Sequence, residues 1–411
     1  MTEQLTDNHS RDTPHLPGEV WLLTAVVAIV GSNSLLLGPI APDIAADLSV
    51  SVNSVLGASA NFGLGTATSA FFLARFIDRF GARTVLCTAI IILLCAFILS
   101  TLSQTVSTLL AAQFVAGLAA GLALPASYAS AASISPPHQE SRVLGIVLTG
   151  WTISLVAGVS LSAILADLIH WRAVFNTLAA IAVVVLVLLL RSSLPNRQSQ
   201  NGTSTPFTAL RVSGVPLLLF FVTCYMAAFY GVYNFVGDHV VQTLGRTVGS
   251  NAWIAFSYGC GFGLATLLDP LLDRLLNNHS GGNGTARFTR NQLAAIALAL
   301  LTALYTVLIW ASADFFTLVS GAFIWGGLNH LGLNILIAAL NSTDSSRRGA
   351  IMGVYSGITY LSMSLGTVAF AAIYSRADFQ TLCLFAAALT LLAAIIAWLS
   401  SVEPPDQKPL P

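Results

Sequence analysis

The chain carries very little charge. Of its 411 residues, 8% are Asp, Glu, Lys or Arg, whereas a soluble globular protein carries about a quarter. Hydrophobic residues make up 55% and the mean hydropathy is +0.80, so a soluble fold would lack polar surface, and the composition indicates a membrane protein. The 17 basic and 17 acidic residues cancel, which argues against a polyanion-binding protein, and no nucleic-acid partner is expected.

Cysteine is also scarce, and its placement argues against two kinds of site. The cysteines are scattered through apolar runs, without CxxC spacing and without a neighbouring histidine: Cys87, Cys95, Cys224, Cys260 and Cys383. Neither a disulfide framework nor a metal site is expected, and no cofactor is expected. The N-terminal tail lacks the basic region and cleavage pattern of a signal peptide, so we expect the first hydrophobic run to stay in the protein.

Long runs without charge are what the chain has in abundance. Windows of about 20 residues free of Asp, Glu, Lys and Arg can each cross about 30 Å of hydrocarbon as a helix. They are residues 20–42, 51–74, 84–103, 107–135, 143–166, 173–190, 212–237, 251–268, 293–313, 315–343, 349–375 and 379–402. Strands of a membrane barrel would instead alternate over about ten residues. The sequence predicts an all-α membrane protein with twelve transmembrane helices.

Arginine predicts the orientation of these helices. An even number of spans puts both termini on one side of the membrane, and basic residues favour the cytoplasmic side. With cytoplasmic termini, only three of the 17 basic residues lie outside, namely Arg172, Arg246 and Arg376. We therefore expect a multi-pass protein of the bacterial inner membrane with both termini in the cytoplasm.

A polar linker divides the chain into six plus six windows. The expected order is a cytoplasmic tail at 1–19, a six-helix bundle at 20–190, the linker at 191–212, a second six-helix bundle at 213–402 and a cytoplasmic tail at 403–411. The linker is rich in Ser, Thr and Asn, which is typical of a loop.

An Asp-Arg pair recurs at equivalent places in the two halves. Asp78-Arg79 and Asp273-Arg274 are 195 residues apart, each after the second helix of its half. Repeated six-helix halves are typical of one class of secondary transporters, so we expect two pseudo-symmetric bundles. An acid and arginines at helix ends can bond to neighbouring helix ends, which predicts a clasp that closes the cytoplasmic side.

The segment Ala74–Arg83 (ARFIDRFGAR) resembles the loop motif of the major facilitator superfamily, G-x-x-x-D-R-x-G-R-R. Asp78, Arg79, Gly81 and Arg83 match this motif, and Ala74 replaces its first glycine. The resemblance implies a cytoplasmic gate formed by these residues together with the second Asp-Arg pair. We expect the gate to stabilise the outward-open state.

Three further segments are similar to the twelve-helix drug:proton antiporter branch, which includes sugar and multidrug exporters. They are GPIAPDIAADLSVS from Gly38, HWRAVF from His170 and YNFVG from Tyr233. One departure is Gln113, which stands where the branch usually carries an arginine in the fourth helix. That departure weighs against the proton relay of the branch.

The fifth helix departs in a second way. Ser160 stands where the branch commonly has proline, but Gly150 and Gly158 keep a spacing that suits close helix packing.

The candidate substrate or proton pathway holds few ionisable groups. His330 is the imidazole at the centre of the tenth window, and Asn334 shares its helical face. Imidazole changes its charge in the physiological pH range, so His330 is expected to contact substrate or carry a proton. The alternative is that His330 is a neutral histidine, hydrogen-bonded to a neighbouring hydroxyl or carbonyl group.

Neutral polar residues complete the candidate pathway. Tyr230 and Asn234 of the seventh window and Asp238, directly after it, form one stripe at spacings of four residues. Asn33, Gln113 and Tyr355 are further candidates, each of which can equally hold helices together. A lining of this kind suits neutral or zwitterionic solutes.

We therefore expect a secondary transporter, most simply an exporter of small organic solutes working by alternating access. It would be a monomer with lipid and a small-molecule substrate as partners, and with protons as a further ligand if transport is coupled. An importer or uniporter without carboxylate-based coupling is the alternative within transport, and a non-transporting membrane sensor is the alternative outside it. No catalytic residues are expected.

The orientation can be tested by labelling single cysteines in a cysteine-free chain with a membrane-impermeant maleimide. Ser204→Cys and Ser280→Cys should react only from the cytoplasmic side, and Thr243→Cys should react only from outside, because basic residues favour the cytoplasm. Labelling of Ser204→Cys from outside would overturn the orientation.

Overall fold

The computed structural model describes residues 17–73, 75–136, 139–196, 206–272, 289–344 and 347–401. These residues form helices and no β-strand, so the all-α prediction is confirmed for the described ranges. The N-terminal half, residues 17–196, contains α1 (Glu19–Leu35), α2 (Leu37–Asp47), α3 (Val52–Phe72), α4 (Arg75–Phe80), α5 (Ala82–Leu102), α6 (Val106–Ile134), α7 (Glu140–Ile153), α8 (Ser160–Leu168) and α9 (Trp171–Arg191). The C-terminal half, residues 206–401, contains α10 (Val215–Asp238), α11 (Asn251–Ala265), α12 (Arg290–Ala311), α13 (Phe315–Asn341), α14 (Arg348–Tyr374) and α15 (Phe379–Leu399).

Several helices begin where a side chain caps the first turn. Asp314 accepts hydrogen bonds from the backbone N–H groups of Phe316 at 2.9 Å and Thr317 at 3.1 Å, so α13 begins at the next residue. Thr105 and Thr289 form capping boxes at the starts of α6 and α12. These caps satisfy N–H groups that have no partner within the helix.

Ten helical stretches in the described ranges are long and apolar enough to cross a membrane. One of them joins α7 to α8 through a π-helical turn at Ser154–Val159, and another extends α10 through a π-helical turn at His239–Thr243. The bent pair α1 and α2 would be an eleventh. Helix α3 matches the predicted window 51–74 in length, but its Gly, Ser, Thr and Asn residues leave it outside this group.

The first predicted window, 20–42, is a bent helix pair that runs on to Asp47. The axes of α1 and α2 differ by 53° on either side of Leu36. Pro39 and Pro42 have no backbone N–H, so α2 lacks two of the hydrogen bonds that would continue α1. The Pro39 carbonyl accepts a hydrogen bond from Asn251 Nδ2 at 2.8 Å, which ties the bent segment to the C-terminal half.

Helices α3 and α6 cross so closely that the contact requires glycine. A Cβ atom on Gly65 would overlap the carbonyl oxygen of Phe114, and a Cβ atom on Gly117 would overlap the carbonyl oxygen of Phe62. Lipid supplies no hydrophobic drive between helices, so close backbone contact of this kind is a main source of association.

The α11–α13 crossing repeats this arrangement in the C-terminal half. Gly261 lies against the Phe323 carbonyl and Gly326 against the Tyr258 carbonyl. Gly261 lies 196 residues after Gly65, and the two Asp-Arg pairs are 195 residues apart. The recurrence is therefore present in packing as well as in sequence.

The expected packing glycines of the fifth window lie against α1. A Cβ atom on Gly150 would come within 2.6 Å of the Thr24 carbonyl oxygen, and one on Gly158 would overlap Ser32 Oγ. The Gly150 Cβ position is also 2.8 Å from the Val27 side chain. Both sites thus leave no room for a side chain.

The crossing can be tested with matched glycine substitutions. Gly117→Ala should lower the free energy of unfolding by about 1–3 kcal/mol or more, because its methyl group meets backbone and not a side chain that can move. Gly145→Ala is the control, since Gly145 is helical and has nothing within 4 Å of its Cβ position. Thermal unfolding in detergent measures both variants, and equal stability of the two would refute the packing argument.

Candidate functional site

His330, Asp269 and Asn334 form a hydrogen-bonded cluster between α11 and α13, hereafter the imidazole–carboxylate cluster. His330 Nε2 lies 2.9 Å from Asp269 Oδ1 and 3.1 Å from Asp269 Oδ2. Asn334 Nδ2 donates to Asp269 Oδ1 at 2.8 Å and lies 3.0 Å from His330 Nε2. The His330 side chain is 10% exposed and that of Asp269 is 36% exposed, so the pair is only partly shielded.

Local structure explains how the cluster forms. Helix α11 ends at Ala265 and gives way to a 3₁₀ turn at Thr266–Leu268, directly before Asp269. The glycine crossing of α11 with α13 brings this chain end against the middle of α13. The Phe262 ring packs edge-on against the His330 ring, with 4.9 Å between ring centres, and covers one side of the imidazole.

The cluster accommodates His330 with or without a proton on Nε2. When Nε2 carries a hydrogen it can donate to Asp269, whose two oxygens are both within reach. When Nε2 is bare it can accept a hydrogen bond from Asn334 Nδ2, which has a second hydrogen for Asp269. Nε2 therefore has a hydrogen-bond partner both with and without its proton.

The seventh-window stripe is buried in this structure. Asn234, which is 0% exposed, donates to Thr367 Oγ1 at 2.7 Å and lies 3.5 Å from Ser59 Oγ of the N-terminal half. Asp238 accepts a hydrogen bond from the Tyr374 hydroxyl at 2.7 Å. Neither residue lines open space here.

Contacts between the halves close the face opposite the arginine-rich loops, hereafter the closed face. A Cβ atom on Gly237 of α10 would overlap the Gly38 carbonyl of α2. Near these glycines, Asn53 Nδ2 donates to the Ala371 carbonyl at 3.2 Å. Thr247 Oγ1 donates to Asp167 at 3.1 Å, again between the halves. Asn234 is part of this closure, since its Cα is 3.1 Å from the Cβ position of Gly38.

Asn33 and Gln113 bond to one another inside the N-terminal half. Asn33 Nδ2 donates to Gln113 Oε1 at 3.0 Å, and Gln113 Nε2 donates to Ser100 Oγ at 3.1 Å. Gln113 is 0% exposed, so the residue at the position of the branch's arginine holds α1, α5 and α6 together in this structure.

Aromatic residues form the half-buried surface between the halves. Trp151 Nε1 donates to the Tyr128 hydroxyl at 3.3 Å, which links α7 to α6. Tyr355 of α14 lies near both Tyr128 and Tyr230. Tyr230 is buried, with its ring 4.8 Å from that of Phe229.

The gate residues of the N-terminal half cap helices in this structure. Gly81 has φ +83°, a conformation that favours glycine, and directly follows α4. Arg83 Nη2 donates to the Leu190 carbonyl at 3.1 Å at the end of α9, and Arg79 stacks on the Phe80 ring at 5.2 Å.

The remaining gate residues cannot be placed in the same way. The Asp78 side chain, Ala74 and both residues of the second pair, Asp273 and Arg274, lie outside the described residues.

Asp269 is the residue that the sequence analysis missed. Asp269 lies directly after the eighth window, near the end of its span. Its partner lies 61 residues away on another helix. One available signal was the polar pair at a four-residue spacing on α13, which requires a partner in an apolar environment. The sequence did not say which helix supplies it.

Comparison with known proteins places this geometry in a family. A family model described as Major Facilitator Superfamily matches residues 21–281. The uncharacterized MFS-type transporter YwfA of Bacillus subtilis (strain 168) is 26% identical over 384 residues, which cover 91% of this chain and 90% of that protein.

Two shorter matches carry efflux or resistance names. A probable sugar efflux transporter of Pasteurella multocida (strain Pm70) is 25% identical, covering 57% of this chain and 55% of its own. A chloramphenicol resistance protein of Streptomyces lividans is 26% identical, covering 63% of this chain and 68% of its own.

A solved structure shares the fold. The crystal structure of a peptide transporter, POT, superposes with a TM-score of 0.72 over 94% of this chain and 95% of that one, at 12% identity. The resemblance drawn from the loop motif is confirmed. The chain belongs to the major facilitator superfamily and fits its drug and sugar efflux branch, as a multi-pass membrane transporter.

Proposed function

We propose that the protein is a proton-coupled exporter of small neutral or zwitterionic organic solutes in the bacterial inner membrane. It would work by alternating access between two pseudo-symmetric bundles at 20–190 and 213–402, with twelve transmembrane helices and both termini in the cytoplasm. In this proposal the ten apolar stretches, the bent pair α1 and α2, and α3 would be the twelve crossings. The repeated glycine crossings support the pseudo-symmetry.

The imidazole–carboxylate cluster is the observation that carries the proposal. An ionisable pair within membrane-spanning helices is costly, and such pairs typically mark substrate or ion pathways. Asp269 can accept from His330 Nε2 when it carries a proton, and Asn334 can donate to it when it is bare, so proton binding and release would leave Nε2 with a partner. In this account His330 exchanges the coupled proton, while Asp269 and Asn334 position its ring.

The surface between the halves supports the substrate class. Trp151, Tyr128 and Tyr355 offer aromatic rings and hydroxyls, which suit uncharged solutes that stack and hydrogen-bond. Asp269 is engaged by His330 and Asn334, so it is not available as a countercharge for a lipophilic cation. The names of the relatives, sugar efflux and chloramphenicol resistance, fit this class and favour export.

The closed face supports alternating access. Gly38, Gly237 and the Asn234 bonds join the halves there, so export requires these contacts to separate. The clasp of Asp78, Arg79 and Arg83, with Asp273-Arg274, would then close the arginine-rich side. In this account Asn234 and Asp238 belong to the outer gate of the pathway.

The coupling can be tested with purified protein in liposomes under an imposed pH gradient. Candidate sugars, amphenicols and nucleosides are screened first for solute-dependent proton movement with wild-type protein. His330→Gln should then abolish accumulation against a gradient while sparing counterflow exchange, which requires no net proton movement. Asp269→Asn should give the same result, because the imidazole loses its partner.

Two controls make this test specific. The double variant should be no worse than either single variant, since residues acting as a unit are not additive. Thr266→Ala, at an exposed position on the same chain segment, should retain both activities. If wild-type transport does not depend on the pH gradient, an uncoupled importer or uniporter is favoured. Unchanged accumulation in His330→Gln would eliminate the proposed role of His330.

A further inference from the structure

A polar cavity of about 640 Å³ opens at the arginine-rich face of the C-terminal half. It lies beside the starts of α10, α12 and α14 and the end of α13. Its wall includes Ser213, Arg290, Asn341, Ser342, Thr343 and Arg348. All lining residues belong to the C-terminal half, so the cavity is separate from the surface between the halves.

The cavity is positively charged. Arg290 and Arg348 approach from two different helices, and Arg347 lies beside them. Asp344 is the carboxylate among the lining residues, and its side chain lies 3.7 Å from the Arg347 guanidinium. Among the described residues of the wall, Arg290 and Arg348 outnumber the one carboxylate, which leaves an excess of positive charge around the opening.

The start of α14 adds to this charge. Arg348 is the first residue of α14, so the positive end of the helix dipole lies at the cavity wall. Helix α12 begins beside the same cavity but is closed by the Thr289 and Gln292 capping box. The positive dipole end of α14 is therefore suited to an anion in the cavity.

We propose that this cavity binds a phosphate group, held by Arg290, Arg348 and the first turn of α14. Arginine matches phosphate oxygens in a bidentate manner, and Arg290 and Arg348 lie in the same wall of the cavity. The volume is within the range of small-molecule sites, about 300–1,000 Å³. The phosphate can come from an anionic phospholipid headgroup or from a soluble phosphate ester.

The position of the cavity favours the lipid source. Basic pockets between helix ends at the cytoplasmic leaflet are suited to anionic headgroups. Leu210, on the 3₁₀ turn Pro206–Arg211 two residues before the cavity-lining Val212, is 42% exposed and offers an apolar surface nearby. Helix α13 carries Asn341 in the cavity wall and Asn334 in the imidazole–carboxylate cluster two turns earlier, so an occupant would contact the helix that holds His330.

The lipid arm of the test counts bound lipids by native mass spectrometry of the full-length protein in detergent. Phosphatidylglycerol should remain bound, and Arg290→Gln combined with Arg348→Gln should reduce its retention about tenfold or more. Phosphatidylcholine, which has no net charge, should show little retention in either protein. The control is Arg142→Gln, since Arg142 is exposed at the same face in the N-terminal half and should leave lipid retention unchanged.

The soluble arm titrates glycerol 3-phosphate and inorganic phosphate into protein held in neutral-lipid nanodiscs by calorimetry. Binding that disappears in the double variant would assign the site to a soluble phosphate. Equal phosphatidylglycerol retention in wild-type and double-variant protein, together with no phosphate binding in calorimetry, would overturn the proposal.

If the double variant does not fold, each single arginine variant is compared with Arg348→Lys, which should retain part of the affinity because it keeps the charge. Neither arm measures transport, so failure here leaves the proposed export untouched.

Discussion

Backbone-to-backbone contact at glycine is the constraint on which the described architecture depends. In lipid, helices gain nothing from burying apolar side chains against one another, so they associate where small residues allow close approach. The crossing of α11 with α13 at Gly261 and Gly326 sets the distance between two chain segments. That distance is what allows an aspartate at the end of one helix to bond a histidine in the middle of the other.

Polar atoms in this protein are then satisfied in two different ways. In the N-terminal half, Asn33, Gln113 and Ser100 form a neutral chain of hydrogen bonds. The C-terminal half instead contains an ionisable pair, His330 and Asp269. Because a glutamine stands where the branch usually carries an arginine, this chain of hydrogen bonds is uncharged.

The positions of the helices could be predicted from the sequence, but the contacts between their side chains could not. Charge-free windows located the helices to within a few residues, because hydropathy is a property of each segment alone. The bond between Asp269 and His330 depends on how α11 and α13 are rotated about their axes, and so does the burial of Asn234. A single sequence does not encode these rotations in a readable way. The bend at Leu36 was foreseeable from Pro39 and Pro42, whereas the 3₁₀ turn that presents Asp269 was not.

The pairing of His330 with Asp269 also has an electrical consequence. In the described ranges it is the one salt bridge between membrane-spanning stretches that lies away from the outer helix ends. Exchange of a single proton for an uncharged solute would therefore carry one net charge across the membrane in each cycle. Such a cycle draws on the membrane potential as well as on the proton concentration, by about 2.3 kcal/mol for every 100 mV. Turnover would then slow when the membrane is depolarised even if the pH on its two sides is kept constant.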